Sequence, residues 1–347
     1  VHEGFETPKV AGLGGPQVSY CSRMKQIHMA SNYKIATVFG GTGFIGRQVV
    51  RELARAGYTV KVATRVPARA YFLRPCGVVG QIVPFPCDYR DSASIRTAVE
   101  GAAVVVNCIG ILYEKKKGDF IRLHADLPAA IAGACAGAGV ERLVHISALG
   151  LEQDKSRYAR TKLEGEKSVL KAFPAATILR PSVVFGPDDE FFNKFARLSL
   201  VLPVLPLIGG GRTKFQPVYV GDIADAVIAS LDENKAAAGK IYELGGPEAL
   251  SFEQIYERLF SYTLQKRPLV ALPWALAKIK AFFFGLLPGA PLLTMDQVES
   301  LKADHVASSH ALQFQDLGLK ATALDVVLPR YLVRYRRGGR FGAARYS

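Results

Sequence analysis

The sequence predicts an α/β protein, a doubly wound parallel sheet with a smaller C-terminal lobe, on three observations. From Lys34 onward, short β-branched runs alternate with longer amphipathic segments, which is the pattern of βαβ units. The runs are mostly apolar throughout, as strands covered on both faces require. Between the first run and the first amphipathic segment stands a glycine-rich stretch, Gly40-Gly41-Thr42-Gly43-Phe44-Ile45-Gly46.

In order, strands are expected over residues 35–39, 58–63, 81–83, 103–108, 143–146 and 177–179. A helix is expected over 43–56, where Ile45, Val49 and Leu53 recur at helical spacing and Gly57 supplies the stop. After Gly186 the texture loosens into Pro- and Gly-rich connections. It then returns to a strand over 217–220, a helix from Asp222 and a strand over 240–244. This predicts an extended arm over 1–33, a dinucleotide-binding domain over 34–186, a C-terminal lobe over 187–329 that shares elements with the sheet, and a basic tail over 330–347. The tail carries Arg334, Arg336, Arg337, Arg340 and Arg345.

Composition narrows the function. At 347 residues and 49% hydrophobic content the chain can bury a large core without staples. Its five cysteines are scattered, without metal-type spacing, and no histidine pair has a ligand set beside it. No metal site is expected. The formal charge of +14 favours an acidic partner or a phosphate-bearing cofactor. No zinc-finger, RNP-like or helix-turn-helix signature accompanies the arginines, so nucleic acid is not expected. The apolar run over 281–293 is shorter than the roughly 20 residues of a spanning helix.

The glycine stretch points to a dinucleotide. Gly40 permits a tight turn, Gly43 a close backbone approach to a pyrophosphate, and Gly46 close packing of helix on strand. The N–H groups at the helix start then face the pyrophosphate. Where an NAD-preferring site places a carboxylate at the end of the second strand, this chain has Thr64 and Arg65, with Arg69 close behind. A guanidinium there attracts a 2′-phosphate, so NADPH is the expected cofactor. Asp88 and Tyr89, after the third strand, are expected beside the adenine, and Ile109 and Gly110, after the fourth, in the cleft wall.

Asn107-Cys-Ile-Gly110, Leu179-Arg-Pro-Ser-Val-Val-Phe-Gly-Pro187 and Gln216-Pro-Val-Tyr-Val-Gly-Asp222 are similar to landmarks of the extended short-chain dehydrogenases, a Rossmann-like family. Ser156-Arg-Tyr-Ala-Arg-Thr-Lys162, Thr213-Lys-Phe-Gln-Pro-Val-Tyr-Val220 and Ala311-Leu-Gln-Phe-Gln-Asp-Leu317 resemble, more narrowly, an atypical branch of that family, the accessory subunits of mitochondrial complex I called alpha subcomplex subunit 9. The resemblance covers about residues 34–340. It implies an NADPH-binding structural or assembly subunit of NADH:ubiquinone oxidoreductase. Such a subunit lies peripherally on the matrix side of the inner membrane, among other subunits near the junction of the two arms. It also implies Pro181 and Val183 as cofactor contacts, and Ser147, Tyr158 and Lys162 as a vestigial catalytic set that touches the cofactor.

Tyr158 and Lys162 stand one helical turn apart, so an ammonium on the same face could depress the phenol's pKa. Ser147 follows the preceding strand as the hydroxyl partner, but the family's fourth position, an Asn, is His124 here. Two readings compete: a site that holds nucleotide without turnover, or an active NADPH-dependent reductase or nucleotide-sugar epimerase with an unusual relay. A nucleotide-sensing binder would share the same site. The apolar stretch over 269–293 and the arginine tail together are expected to form an assembly surface, with contact to anionic lipid.

Overall fold

The structure, a computed structural model, describes residues 34–232, 236–286, 291–336 and 338–339. The expected arm over 1–33 lies outside the described residues, as do Arg337, Arg340 and Arg345 of the expected tail. Seven strands form the main sheet: β1 (Ile35–Phe39), β2 (Thr59–Thr64), β3 (Ile82–Pro86), β4 (Val104–Asn107), β5 (Arg142–Ile146), β6 (Thr177–Pro181) and β7 (Ile241–Leu244). Their order is β7-β6-β5-β4-β1-β2-β3, and every pairing is parallel. The order reverses between β1 and β4, so the crevice beyond the C-terminal ends of those two strands is where an open α/β sheet binds its ligand.

Helices cover both faces because the strands are apolar on both. On one side α1 (Phe44–Arg55) buries Val49 and Leu53. On the other, α2 (Ser92–Val99), α3 (residues 119–137) and α4 (Arg157–Ala172) bury Ile95, Ile131 and Val169. Helix α3 runs as a turn Asp119–Ile121, a π-helical turn Arg122–Asp126 and an α-helix Leu127–Gly137. The π turn brings the His124 carbonyl against α4 at Gly165, where a Cβ would stand 1.8 Å from that oxygen. Strand β3 contains Pro84 and Pro86, which its place at the sheet edge tolerates.

The expected strand over 217–220 is the two-residue Val218–Tyr219, paired with Val184–Phe185. Helix α5 (Val220–Ser230) therefore begins earlier than the expected Asp222. Asp222 sits in its first turn and accepts from the Thr322 N–H at 2.6 Å and hydroxyl at 2.7 Å.

The C-terminal lobe packs the helices Phe192–Val201, Phe252–Thr263 and Leu324–Leu332 around an aromatic core that includes Phe185, Phe215 and Tyr256. The apolar stretch from Leu269 divides into a strand Leu269–Leu272, paired with Leu205–Ile208, and α6 (Trp274–Leu286). Helix α6 buries Ala277 and Ala281 and turns Leu276, Ile279, Phe282 and Phe283 to solvent.

The tail expected from residue 330 is corrected in its first part. Leu324, Val327, Leu328, Tyr331 and Leu332 recur at helical spacing and are buried, so the last described helix continues to Leu332 and a 3₁₀ turn, Val333–Tyr335, follows. The Tyr331 hydroxyl donates to buried Asp189 at 2.6 Å and Tyr335 to Asn193 at 2.9 Å. Arg334 donates to the Pro187 carbonyl at 3.1 Å and to the Asn193 side chain. Tyr331 and Tyr335 are core, and Tyr331 supplies a donor that buried Asp189 needs, while Arg334 reaches the same loop from the surface.

Tyr331→Phe is accordingly expected to lower unfolding free energy by about 1–3 kcal/mol, the cost of one lost donor to a buried acceptor. Truncation after residue 330 should cost more than about 3 kcal/mol, since apolar burial goes as well. Urea denaturation reads both. A truncated chain with an unchanged midpoint would show that the segment is dispensable for folding.

Candidate functional site

The glycine turn begins where β1 ends. Gly40 adopts φ 75°, which places its carbonyl to accept the Gly43 N–H at 2.9 Å. A Cβ at position 46 would stand 2.2 Å from the Gly40 oxygen, so glycine there is a condition of α1 starting so close to the strand. Gly43 is the N-cap, no side chain caps the helix, and its first turn has no acidic residue. The helix N-terminus therefore presents uncapped N–H donors and an unneutralised dipole end, and fits a pyrophosphate.

A cleft of about 540 Å³ opens above this turn. Of the residues expected to contact a cofactor, it brings together Gly40, Thr42, Gly43, Arg65, Arg69, Tyr89, Ile109 and Gly110. Thr64, Val66, Cys108, Ile111 and Leu123 complete the wall. Gly41, Phe44, Ile45 and Gly46 are not in the wall: a Cβ at Gly41 would meet Val62 and Val50, Phe44 lies beside Gly186, and Ile45 packs on the core of the sheet. They shape the turn. Asp88 faces a neighbouring cavity of about 670 Å³, which shares Arg65 and Tyr89 with the cleft. The Arg65 guanidinium stands 5.7 Å from the Tyr89 ring centroid, and the Tyr89 hydroxyl donates to the Ala63 carbonyl at 2.7 Å. Pro181, the last residue of β6, and Val183, packed on the C-terminal lobe, are not in the cleft wall.

Ser147, Tyr158 and Lys162 are not in the cleft wall, and Lys162 lies within electrostatic reach of Cys108, which is. Lys162 is buried and donates to the Ile146 carbonyl at 2.8 Å. Burial lowers its ammonium to about 8, against the opposing pull of Glu166. Burial, with Asp154, raises the Tyr158 phenol to about 12. The expected activation of Tyr158 by Lys162 is therefore opposed by the surroundings of both groups. The Cys108 thiol is likewise raised by burial to about 12, and Lys162 partly opposes that shift.

His124 is fully buried, with its ring 5.2 Å from both Phe120 and Tyr158. Its Nε2 accepts the Ile111 N–H at 3.1 Å. The Thr161 hydroxyl donates to the Tyr158 carbonyl, so it accepts from His124 Nδ1 at 3.2 Å. Both ring nitrogens are thus committed to structure. Burial, assisted by Lys162, pushes the imidazole down to about 3.

His145 is fixed in the same manner. The Ile109 N–H donates to Asn107 Oδ1 at 3.1 Å, which turns the Asn107 amide N–H toward His145 Nδ1, also 3.1 Å away. The proton of His145 must then sit on Nε2. That atom and Ser147 Oγ are the buried side-chain polar atoms without a partner among the described residues. Asn107 opens one of the family landmarks, but no motif announced His145; the available signal was a polar residue among the apolar ones near the end of each strand.

Residues 36–245 match the NAD dependent epimerase/dehydratase family. The chain is 37% identical over 316 residues to a protein of Arabidopsis thaliana named NADH dehydrogenase (ubiquinone) 1 alpha subcomplex subunit 9, mitochondrial, covering 88% of this chain and 79% of that one. A protein of the same name from Rattus norvegicus is 37% identical over 306 residues, 87% of this chain and 80% of its own. In fold, the chain is similar to an NADPH-dependent quinone oxidoreductase of Escherichia coli complexed with NADPH. That likeness has a TM-score of 0.68 and 22% identity, over 86% of this chain and 98% of the other. The cleft lies at the C-terminal ends of β1 and β4, where an open α/β sheet binds its ligand.

Two buried neutral histidines give the protein an acid limb. Below the unfolded-state value near 6.5 the unfolded chain takes up protons that native His124, lowered to about 3, and His145, held well below its ordinary value by burial, do not. Stability is therefore fully present above about pH 6.5 and falls as pH drops toward 3, by up to ~1.4 kcal/mol per pH unit per histidine. His124→Gln keeps an acceptor for Ile111 and should make the limb shallower by about one proton. Urea denaturation from pH 7 to 4 measures it; equal slopes for both proteins would refute the assignment.

Proposed function

The chain belongs to the NAD dependent epimerase/dehydratase family and, within it, to the family of the alpha subcomplex subunit 9 proteins, and we propose that it is an NADPH-binding accessory subunit of mitochondrial respiratory complex I. In this reading it holds the nucleotide as a structural ligand and catalyses no reaction of its own. It sits peripherally on the matrix side of the inner membrane, among subunits near the junction of the peripheral and membrane arms. The observation that carries the proposal is the likeness to named complex I subunits of a plant and an animal along 87–88% of the chain.

The site supports holding over turnover. The cleft offers an uncapped helix N-terminus to the pyrophosphate and two arginines, with no carboxylate in its wall, to a 2′-phosphate. When bound, the nicotinamide supplies hydride chemistry. His124 has no free nitrogen with which to pass a proton, and the surroundings of Tyr158 disfavour its ionisation. The reductase reading keeps one point in its favour, the unpartnered Ser147 hydroxyl. The solvent-facing Leu276, Ile279, Phe282 and Phe283 of α6, with Lys280 beside them, suit an anionic membrane interface. Phe282→Ser with Phe283→Ser should lower retention on vesicles containing anionic lipid; unchanged retention removes this contact from the proposal.

Mass spectrometry of nucleotide released from the purified chain should find NADP(H) at about one per chain, a ligand that stabilises the native state. Arg65→Asp should weaken NADPH binding by ~10- to 100-fold, the worth of a charge-assisted contact, and leave NADH binding nearly unchanged. Equal NADPH affinity in the variant would count against the 2′-phosphate contact. Sustained NADPH oxidation with a carbonyl or nucleotide-sugar panel, lost in Tyr158→Phe, would overturn the structural role.

A further inference from the structure

The connection from β2 to β3 is not the usual crossover α-helix. It is a 3₁₀ helix of 10 residues, Pro67–Cys76, although such runs seldom exceed three or four. With three residues per turn, side chains at i and i+3 eclipse, which divides the segment into edges. Ala70 and Leu73 lie on one edge, buried in the core of the sheet, and Cys76 packs beside them. Tyr71 and Arg74 lie on a second, where the guanidinium stacks 4.3 Å from the ring centroid. Arg69 and Phe72 share the third.

The inner end of this segment belongs to the nucleotide site, since Arg65, Val66 and Arg69 line the cleft. Its outer face has no cover among the described residues. Tyr71 is 50% exposed and Phe72 53%, and Val78 and Val79, just beyond, are exposed as well. Residues 65–87 contain three arginines and no aspartate or glutamate. Pro84 and Pro86 remove N–H donors from the adjoining edge strand β3, so a partner cannot simply extend the sheet there. It must dock through side chains. Aromatic residues and arginine dominate binding energy at interfaces, and the Tyr71–Arg74 stack holds two of them in place before any partner arrives.

We propose that the outer face of the segment, centred on Tyr71, Phe72 and Arg74 with Val78 and Val79 at its margin, is a docking site for an acidic face of another protein. The apolar side chains supply area, and the arginine sets the sign of charge that the partner must carry. The proposal rests on the reading of the chain as a subunit of a larger complex, in which this face would meet a neighbouring subunit.

The test uses the full chain, expressed in cells that lack their own copy, as wild type, Phe72→Ser and Arg74→Glu. Nucleotide content of the purified variants should match wild type, because the substituted side chains are outside the cleft wall. Incorporation into complex I on native gels should fall by ~10-fold or more, the effect of losing an interface anchor worth at least ~1.4 kcal/mol. A photo-crosslinking side chain at position 72 should form an adduct with a protein, within an acidic segment mapped by mass spectrometry, and Arg74→Glu should abolish it. Wild-type incorporation of both variants, adducts confined to lipid, or loss of nucleotide together with incorporation would each overturn the docking site. If wild type itself does not migrate with complex I, the subunit reading fails separately. The adduct then decides the docking site: a mapped acidic segment sensitive to Arg74→Glu supports it, and no protein adduct overturns it.

Discussion

The approach of Gly46 to the Gly40 carbonyl governs what the remainder of the molecule can do. A Cβ at 46 would stand 2.2 Å from that oxygen, so the close start of α1 beside the end of β1 depends on glycine. With the helix held there, its uncapped N–H groups face the crevice where the strand order reverses between β1 and β4. The cleft walls follow from that placement. The ends of β2 and β4 contribute Thr64 and Arg65 on one side and Cys108, Ile109 and Gly110 on the other. A displaced helix would leave the arginines with no pyrophosphate site to complement.

Behind the cleft, charge and burial work against each other, and the outcome is a fixed layer. Lys162 is the cation of that layer, and burial together with its field keeps His124 and His145 neutral. Once neutral, each imidazole is locked in a tautomer by neighbours that allow one direction of donation, Thr161 and Ile111 for one and Asn107 for the other. A relay needs a group able to change partners. The His124 nitrogens already have theirs, and a buried group stripped of its partner costs about 1–3 kcal/mol. The same bonds that orient the layer thus hinder it from moving protons.

The C-terminal lobe is joined to the nucleotide half through the loop after Gly186. Asp189 accepts from the N–H groups of Gly186, Phe191 and Asn193 and from the Tyr331 hydroxyl. Neighbouring Asp188 pairs with Arg47 in the first turn of α1 at 2.9 Å. These two aspartates do unequal work. The Arg47 pair is half open to water, where such bridges contribute about 0–1 kcal/mol. Asp189 is buried, so its four donors are what make its burial tolerable. The anchorage of the chain's end therefore rests on Asp189 more than on the visible ion pair.

The sequence by itself determined the parallel sheet, the position of its glycine turn and the arginines at the end of β2, because apolar periodicity and a local turn motif need no distant residue to be read. Strand limits were legible to within one to three residues, as for β3, whose proline-bearing end at Pro84 and Pro86 is acceptable only at an edge that sheet order alone creates. The tertiary structure decided which motif residues face the cleft and which stand behind it, separating Gly40 and Gly43 from Phe44 and Ile45, and moving Asp88 into the adjoining cavity. It also decided the state of Tyr158, Lys162 and His124. Burial is the largest cause of each shift, and it is set by packing from distant elements; the field of Lys162 reaches His124 from 38 residues away in the chain, a distance over which spacing carries no information. For residues 330–335 the periodicity was present, but the arginines nearby read as a solvated tail. The burial of Tyr331 against Asp189 required the fold to bring together two positions 142 residues apart.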